Sequence, residues 1–203
     1  MTKHWVWISG WGIAPERFAE VCQQAFPEFA HTVFAPTDRA IDKLLHAKAD
    51  RIGGYSLGSL LLLEAAEHIP METPLYLYGP ILGFTQEMGL GGTTPASTLE
   101  LLQTRLEKSP QKALKLFYRL AGLDEATSET LPYPLEDLAW GLEALAKKQA
   151  KPPHSRQIKV FLGEHDALLN SQSICKLFTR PIQLPHGHDY RQLLTDHASI
   201  YAR

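Results

Sequence analysis

Short apolar runs alternate with stretches of helical periodicity through the first 82 residues. Trp5-Val6-Trp7-Ile8 is a compact apolar block stopped by Gly10-Trp11-Gly12, the pattern of a buried strand. Residues 15–26 predict a helix, with Pro15 suited to its first turn and Phe18, Val21, Cys22 and Ala25 on one face. A second strand at 31–34, a short helix at 40–49 and a third strand at 51–55 follow. Residues 57–68 form an apolar helical stretch, and 74–78 a fourth strand ended by Gly79-Pro80. Strand and helix in strict alternation predict a mostly parallel sheet with right-handed crossovers.

The rhythm breaks between residues 83 and 153. After a glycine-rich stretch (Gly89, Gly91, Gly92) the pattern turns wholly helical, at 98–108, 110–121 and 135–149. Ser109-Pro110 divides the first two, with serine as the expected cap and proline in the first turn. Alternation resumes with a strand at 158–162, a helix at 171–178, a strand at 181–184 and a terminal helix at 192–201. The chain therefore divides into an α/β core (1–82 and 154–203) of about six strands flanked by helices, as the count above implies, and a helical insertion (83–153) lying over it.

Composition narrows the class without changing this picture. The 203 residues are 44% hydrophobic and 21% charged, and 20 Lys and Arg face 22 Asp and Glu for a net charge of −2. Disorder and a strongly basic nucleic-acid-binding surface are both disfavoured by that balance. Cys22 and Cys175 match no metal or CxxC spacing; reduced thiols are the simpler expectation, with a disulfide between the two as the alternative. The N-terminal apolar run is too short for a signal peptide, and no stretch approaches the length of a membrane span. These features predict a cytoplasmic protein with no membrane or nucleic-acid partner.

Chemistry concentrates at four points. Gly54-Tyr55-Ser56-Leu57-Gly58 fits G-x-S-x-G, and it sits between a predicted strand and a predicted helix, the setting a nucleophile elbow requires. The competing reading is a glycine-rich turn that caps a helix with Ser56. An activated serine needs a base and a group that orients the base. Asp166 follows the strand at 158–162 and His188 the strand at 181–184, so the chain order is Ser, Asp, His. Glu164 or Asp189 could replace the first, and His165 or His186 the second. Either assigned residue could equally be an ordinary turn or surface side chain. His186-Gly187-His188-Asp189 has a faint metal-site pattern but no supporting cluster, so no metal or cofactor is expected. Acyl transfer also needs oxyanion donors. The backbone N–H of Leu57 is one candidate, and that of Trp11, in the loop after the first strand, is the other. The Trp11 indole is then free to line a pocket.

Over nearly its full length the chain resembles the α/β-hydrolase superfamily. Ser9-Gly10-Trp11-Gly12, the elbow, Gly163-Glu164-His165-Asp166 and Gly187-His188 carry the resemblance. Within the superfamily it is most similar to the pimeloyl-[acyl-carrier protein] methyl ester esterases of biotin synthesis. Those enzymes share the Gly-Trp-Gly loop, the Gly-x-Ser-Leu-Gly elbow and a helical lid of this size, here echoed in residues 116–120 and 141–145. The resemblance implies a minimal α/β-hydrolase fold with an inserted lid. It also implies a Ser56–His188–Asp166 triad acting on an ester, here a methyl ester of a seven-carbon acyl chain borne by acyl carrier protein. Ser9 stands where such proteins often have histidine, and Ser59 where glycine often follows the elbow. The usual N-terminal hairpin is missing, which leaves six strands rather than eight. Carrier proteins are acidic, so Arg105, Lys108, Lys112, Lys115 and Arg119 of the lid are the expected docking residues. Lys112, Lys115 and Arg119, at i, i+3 and i+7, share one helical face, and the bland reading is a solvated surface. A thioesterase or short-chain carboxylesterase on the same triad, a non-catalytic ligand-binding protein and a lid-mediated interaction module stand as alternatives.

Overall fold

A computed structural model describes residues 2–125, 130–152 and 158–201. In chain order the elements are β1 (Lys3–Ile8), α1 (Pro15–Ala25), β2 (Phe29–Phe34), α2 (Ala40–His46), β3 (Arg51–Tyr55), α3 (Leu57–Glu64) and β4 (Leu75–Tyr78). The inserted helices α4 (Ala96–Lys108), α5 (Pro110–Ala121) and α6 (Leu135–Lys147) follow. Then come β5 (Ile158–Gly163), α7 (Ser171–Cys175), β6 (Ile182–Leu184) and α8 (Tyr190–Tyr201). The six strands form one sheet in the order β2-β1-β3-β4-β5-β6. Every pairing in it is parallel, where the sequence pattern predicted a mostly parallel sheet.

The even spacing of aromatics on β1 explains which face receives α1 and α8. Trp5 and Trp7 project to the same face of the strand and stack at 4.4 Å. Trp7 packs on Phe18 of α1, and Phe18 stacks on Tyr190 of α8 at 5.1 Å. His197 of α8 closes the cluster against Phe161 at 4.1 Å. Aromatic pairs of this kind each contribute about 0.5–1.5 kcal/mol beyond area burial, so α1 and α8 are strongly held on this face.

Several boundaries differ from the sequence pattern for identifiable reasons. The helix predicted over 57–68 ends at Glu64. The backbone leaves the helix at Ala65 (φ −91°, ψ 3°), and the chain passes into turns that still bury Ala65, Ala66 and Ile69. The helix predicted over 171–178 is a five-residue α7, started by Asn170, whose side chain accepts from the Ser173 N–H. Ser109 makes no side-chain cap on α5, contrary to expectation. Its backbone carbonyl instead accepts from the Lys112 and Ala113 N–H groups, and Pro110 supplies the helical φ. The terminal helix begins earlier than predicted because Asp189 caps it, accepting from the Arg191 N–H at 3.0 Å.

Helices α4, α5 and α6 lie between β4 and β5 in the chain; α4 packs against both α5 and α6, and the three bury Leu99, Leu102 and Leu106, Ala113, Leu114 and Phe117, and Leu138, Leu142 and Leu145. The expected boundary between insertion and core at 153/154 lies outside the described residues. Among the described residues no helix is long and apolar enough to cross a membrane. Cys22 is buried, Cys175 is half-buried, and both are free thiols.

Candidate active site

All four chemically suggestive segments fall at the carboxyl ends of parallel strands, where open α/β sheets place their sites. Ser56 follows β3 directly, with φ 54° and ψ −117°, a conformation that a residue with a Cβ rarely adopts. The flanking glycines are steric requirements. A Cβ on Gly58 would lie 2.2 Å from the Ile8 carbonyl oxygen, and one on Gly54 would lie 2.9 Å from Gly58 backbone. Ser56 thereby sits at the apex of a sharp turn with α3 pressed against the end of β1. Ser59, the departure from the family pattern, donates its hydroxyl to the Gly54 carbonyl at 2.7 Å and braces the same turn.

The structure brings Ser56, His188 and Asp166 together. Ser56 Oγ lies 2.9 Å from His188 Nε2, and His188 Nδ1 lies 2.6 Å from Asp166 Oδ2. A carboxylate only accepts, so the imidazole carries its proton on Nδ1 and its Nε2 accepts from the serine hydroxyl. The second carboxylate oxygen, Oδ1, accepts from the Leu168 and Leu169 N–H groups at 2.9 and 3.0 Å. The His188 and Asp166 side chains are 1% and 0% exposed, and Ser56 is 3% exposed. A buried carboxylate is tolerable only with such full hydrogen bonding. Tyr55 adds a further brace, donating its hydroxyl to the His188 carbonyl. Burial and the nearby Asp166 push its phenol well above the ordinary range, so it stays a donor.

The competing residues are engaged elsewhere. His186 pairs with Asp196 at 2.8 Å, Asp189 caps α8 and binds Arg191, and Glu164 and His165 are exposed. Among the described residues no three His, Cys, Asp or Glu side chains gather as a metal site.

The Leu57 N–H starts α3, and the Trp11 N–H lies in the loop after β1. Neither has a hydrogen-bond partner among the described residues. Ser9 holds that loop by donating to the Ile13 carbonyl at 3.2 Å. The expectation that the Trp11 indole is free to line a pocket is corrected. The indole is buried in the insertion, donating Nε1–H to the Leu138 carbonyl at 2.8 Å and packing on Phe117 at 4.7 Å. Helix α6 crosses over it at Gly141, where a Cβ would sit 2.5 Å from Trp11 Cδ1 and 3.3 Å from Leu57 Cδ2.

Two tyrosines, Tyr118 of the 116–120 stretch and Tyr133, which no motif singled out, hold the same loop. The Gly12 N–H donates to the Tyr133 hydroxyl oxygen at 2.7 Å, and the Tyr118 hydroxyl donates to the Gly12 carbonyl at 2.6 Å. These contacts join positions 121 and 106 residues apart, so no local spacing announces them. Near the end of α5, Glu125 accepts from Tyr190 at 2.8 Å and pairs with Arg17 at 3.1 Å and Arg191 at 3.5 Å. Lys108, Lys112, Lys115 and Arg119 are exposed and Arg105 is half-buried. None of the five makes a salt bridge among the described residues.

This sheet order, with a serine elbow after β3 and an inserted helical segment after β4, is the α/β-hydrolase fold. The solved structures it resembles agree over almost the whole chain. An esterase from Exiguobacterium antarcticum superposes with a TM-score of 0.76 at 14% identity, covering 98% of this chain and 91% of that one. A lipase-esterase related protein from Clostridium acetobutylicum gives 0.63 at 13% identity, covering 99% and 92%. The bottromycin epimerase BotH gives 0.60 at 16% identity, covering 100% and 90%, so this fold alone does not decide the chemistry. The sequence matches no protein-family model and no curated protein.

Proposed function

We propose that the protein is a serine carboxylesterase whose catalytic residues are Ser56, His188 and Asp166, with the Trp11 and Leu57 N–H groups as oxyanion donors. The observation that carries this reading is the unbroken, buried hydrogen-bond chain from Ser56 Oγ through the His188 ring to Asp166. His188 Nε2 takes the serine proton as Oγ attacks the ester carbonyl. The resulting oxyanion is held by the two backbone donors, each worth about 3–4 kcal/mol in comparable sites. His188 then protonates the departing alkoxide, leaving an acyl-serine. Water, deprotonated by His188, attacks that ester, and Ser56 leaves as the acid is released. Asp166 keeps the proton on Nδ1 and stabilises the imidazolium that forms.

The finer reading is a carrier-borne substrate, the methyl ester of pimeloyl-acyl carrier protein in biotin synthesis, with helices α4–α6 as its lid. The exposed cations Lys112, Lys115 and Arg119 on one face of α5, joined by Arg105 and Lys108 of α4, support an acidic partner. The test begins with p-nitrophenyl esters from C2 to C8. Wild type hydrolyses them, and Ser56→Ala keeps the fold by circular dichroism while losing turnover by about 10⁵-fold or more. Unchanged turnover in that variant refutes the assignment. Given an active enzyme, reversing Lys112, Lys115 and Arg119 to Glu raises KM for the carrier-borne methyl ester alone. An unchanged KM, or an equal rise for both substrates, removes the carrier reading.

A further inference from the structure

We infer that Tyr133 and Tyr118 are positioning residues that set the oxyanion loop from the inserted helices, so that the oxyanion site is complete only when that segment is seated on the core; this rests on the esterase reading above. The start of the loop is tied to the core by the Ser9 N–H, which donates to the Phe34 carbonyl of β2 at 3.0 Å. The bonds from the Ile13 N–H to the Gly10 carbonyl at 3.2 Å and from Ser9 Oγ to the Ile13 carbonyl lie within the loop. Everything between is held by the insertion: the Trp11 indole by the Leu138 carbonyl, the Gly12 N–H by Tyr133, and the Gly12 carbonyl by Tyr118. Gly12 has φ +75°, a glycine-tolerant conformation with many alternatives once its peptide groups are released. The N–H of Trp11 lies inside this gripped segment, one peptide before the two that the tyrosines hold.

The nucleophile and the donor loop lie close under the same segment. Ser56 is 3% and Trp11 1% exposed, and α6 crosses over Trp11 and Leu57 at Gly141. A displacement that releases Leu138, Tyr118 and Tyr133 therefore frees the peptide groups on either side of Gly12, and the Trp11 N–H loses its register with Ser56.

The test uses Tyr133→Phe and Tyr118→Phe in the full chain, with reactive sites counted by fluorophosphonate titration so that only competent molecules enter kcat. Each variant is expected to lower kcat for p-nitrophenyl acetate by about tenfold or more, as for other small displacements of catalytic groups, with KM changed little. The Ki of an aliphatic trifluoromethyl ketone, whose hemiketal on Ser56 places an oxyanion in the same position, rises in proportion to the fall in kcat/KM. A merely structural role would lower the number of titrated sites and leave both values per site intact, which overturns the inference. An active wild type with equally active tyrosine variants overturns the clamp alone. A wild type inert to esters and fluorophosphonate overturns the esterase reading and the clamp together.

Discussion

The backbone at Ser56 offers a direct measure of how much stability the elbow sacrifices to present its hydroxyl. With φ 54° and ψ −117°, Ser56 occupies a region open to glycine and closed to most other residues. Strain of this kind costs about 1–3 kcal/mol. Replacing Ser56 by Ala leaves the strain in place and removes the Oγ–Nε2 bond to His188, a loss of about 1 kcal/mol. Replacing it by Gly removes the same bond and also the strain, while adding about 0.4–1 kcal/mol of freedom to the unfolded chain. The difference between the two variants isolates the backbone, because both lack the hydroxyl. Ser56→Gly should therefore be more stable than Ser56→Ala by about 1 kcal/mol, or roughly 2–4 °C in Tm for a chain of this length. Thermal and urea melts of both proteins, run beside wild type, provide the assay. Equal stability, or a less stable glycine variant, would falsify the claim that the elbow is strained.

Two further perturbations probe the surroundings of the site. Gly141→Ala gains about 1 kcal/mol of helix propensity but drives a methyl to 2.5 Å from Trp11 Cδ1, overpacking that costs about 1–3 kcal/mol. The expected outcome is a net loss of stability with a fall in kcat, and a more stable, fully active variant would show that α6 does not seat on Trp11. His197, buried among aromatics and facing the cations Lys159 and Arg51, has its pKa lowered from 6.5 to about 3. The unfolded histidine takes up a proton below about pH 6.5 that the folded one refuses until about pH 3, so stability falls as pH drops through that window by about 1.4 kcal/mol per unit. Between pH 7 and pH 5, wild type should lose about 2 kcal/mol more than His197→Phe by urea denaturation, and parallel losses would remove His197 as the cause.

The elbow was legible because its constraints are local. Gly54 and Gly58 are demanded by backbone within a few residues or across one strand contact, and such demands leave a spacing that can be read directly. The choice of Asp166 and His188 over their neighbours was less secure in principle. Glu164, His165, His186 and Asp189 lie within two residues of one or the other, and only side-chain direction separates them. His186 turns to Asp196, and Asp189 is consumed in capping α8. The docking of the insertion left no trace in periodicity at all. Tyr118 and Tyr133 carry no local signal of this contact, because their partner is a glycine residue more than a hundred residues away. Likewise the Trp11 indole could be assigned to a pocket until the Leu138 carbonyl was found opposite its Nε1–H. Helix ends failed where the hydrophobic pattern outlasted the helix, as at Ala65, Ala66 and Ile69, because burial continues through turns that periodicity cannot distinguish from helix.

Two of the contacts that fasten the insertion to the core differ in physical character. At the rim, Glu125 gathers Arg17, Arg191 and Tyr190, and both arginines reach solvent, so salt weakens this attachment. At the centre, the grip on Gly12 is made by neutral phenols. Burial pushes the pKa of both Tyr118 and Tyr133 well above the ordinary tyrosine range, so neither ionises near neutral pH. A charged clamp at that point would place a fixed field beside the proposed oxyanion site and would change with pH as its members titrated. Neutral hydroxyls hold the Gly12 peptide groups through hydrogen bonds alone, and in the esterase proposed above they leave the Trp11 and Leu57 N–H groups as the donors to the reacting carbonyl. The strength with which the segment stays seated can then vary at the rim without altering the geometry it imposes at the centre.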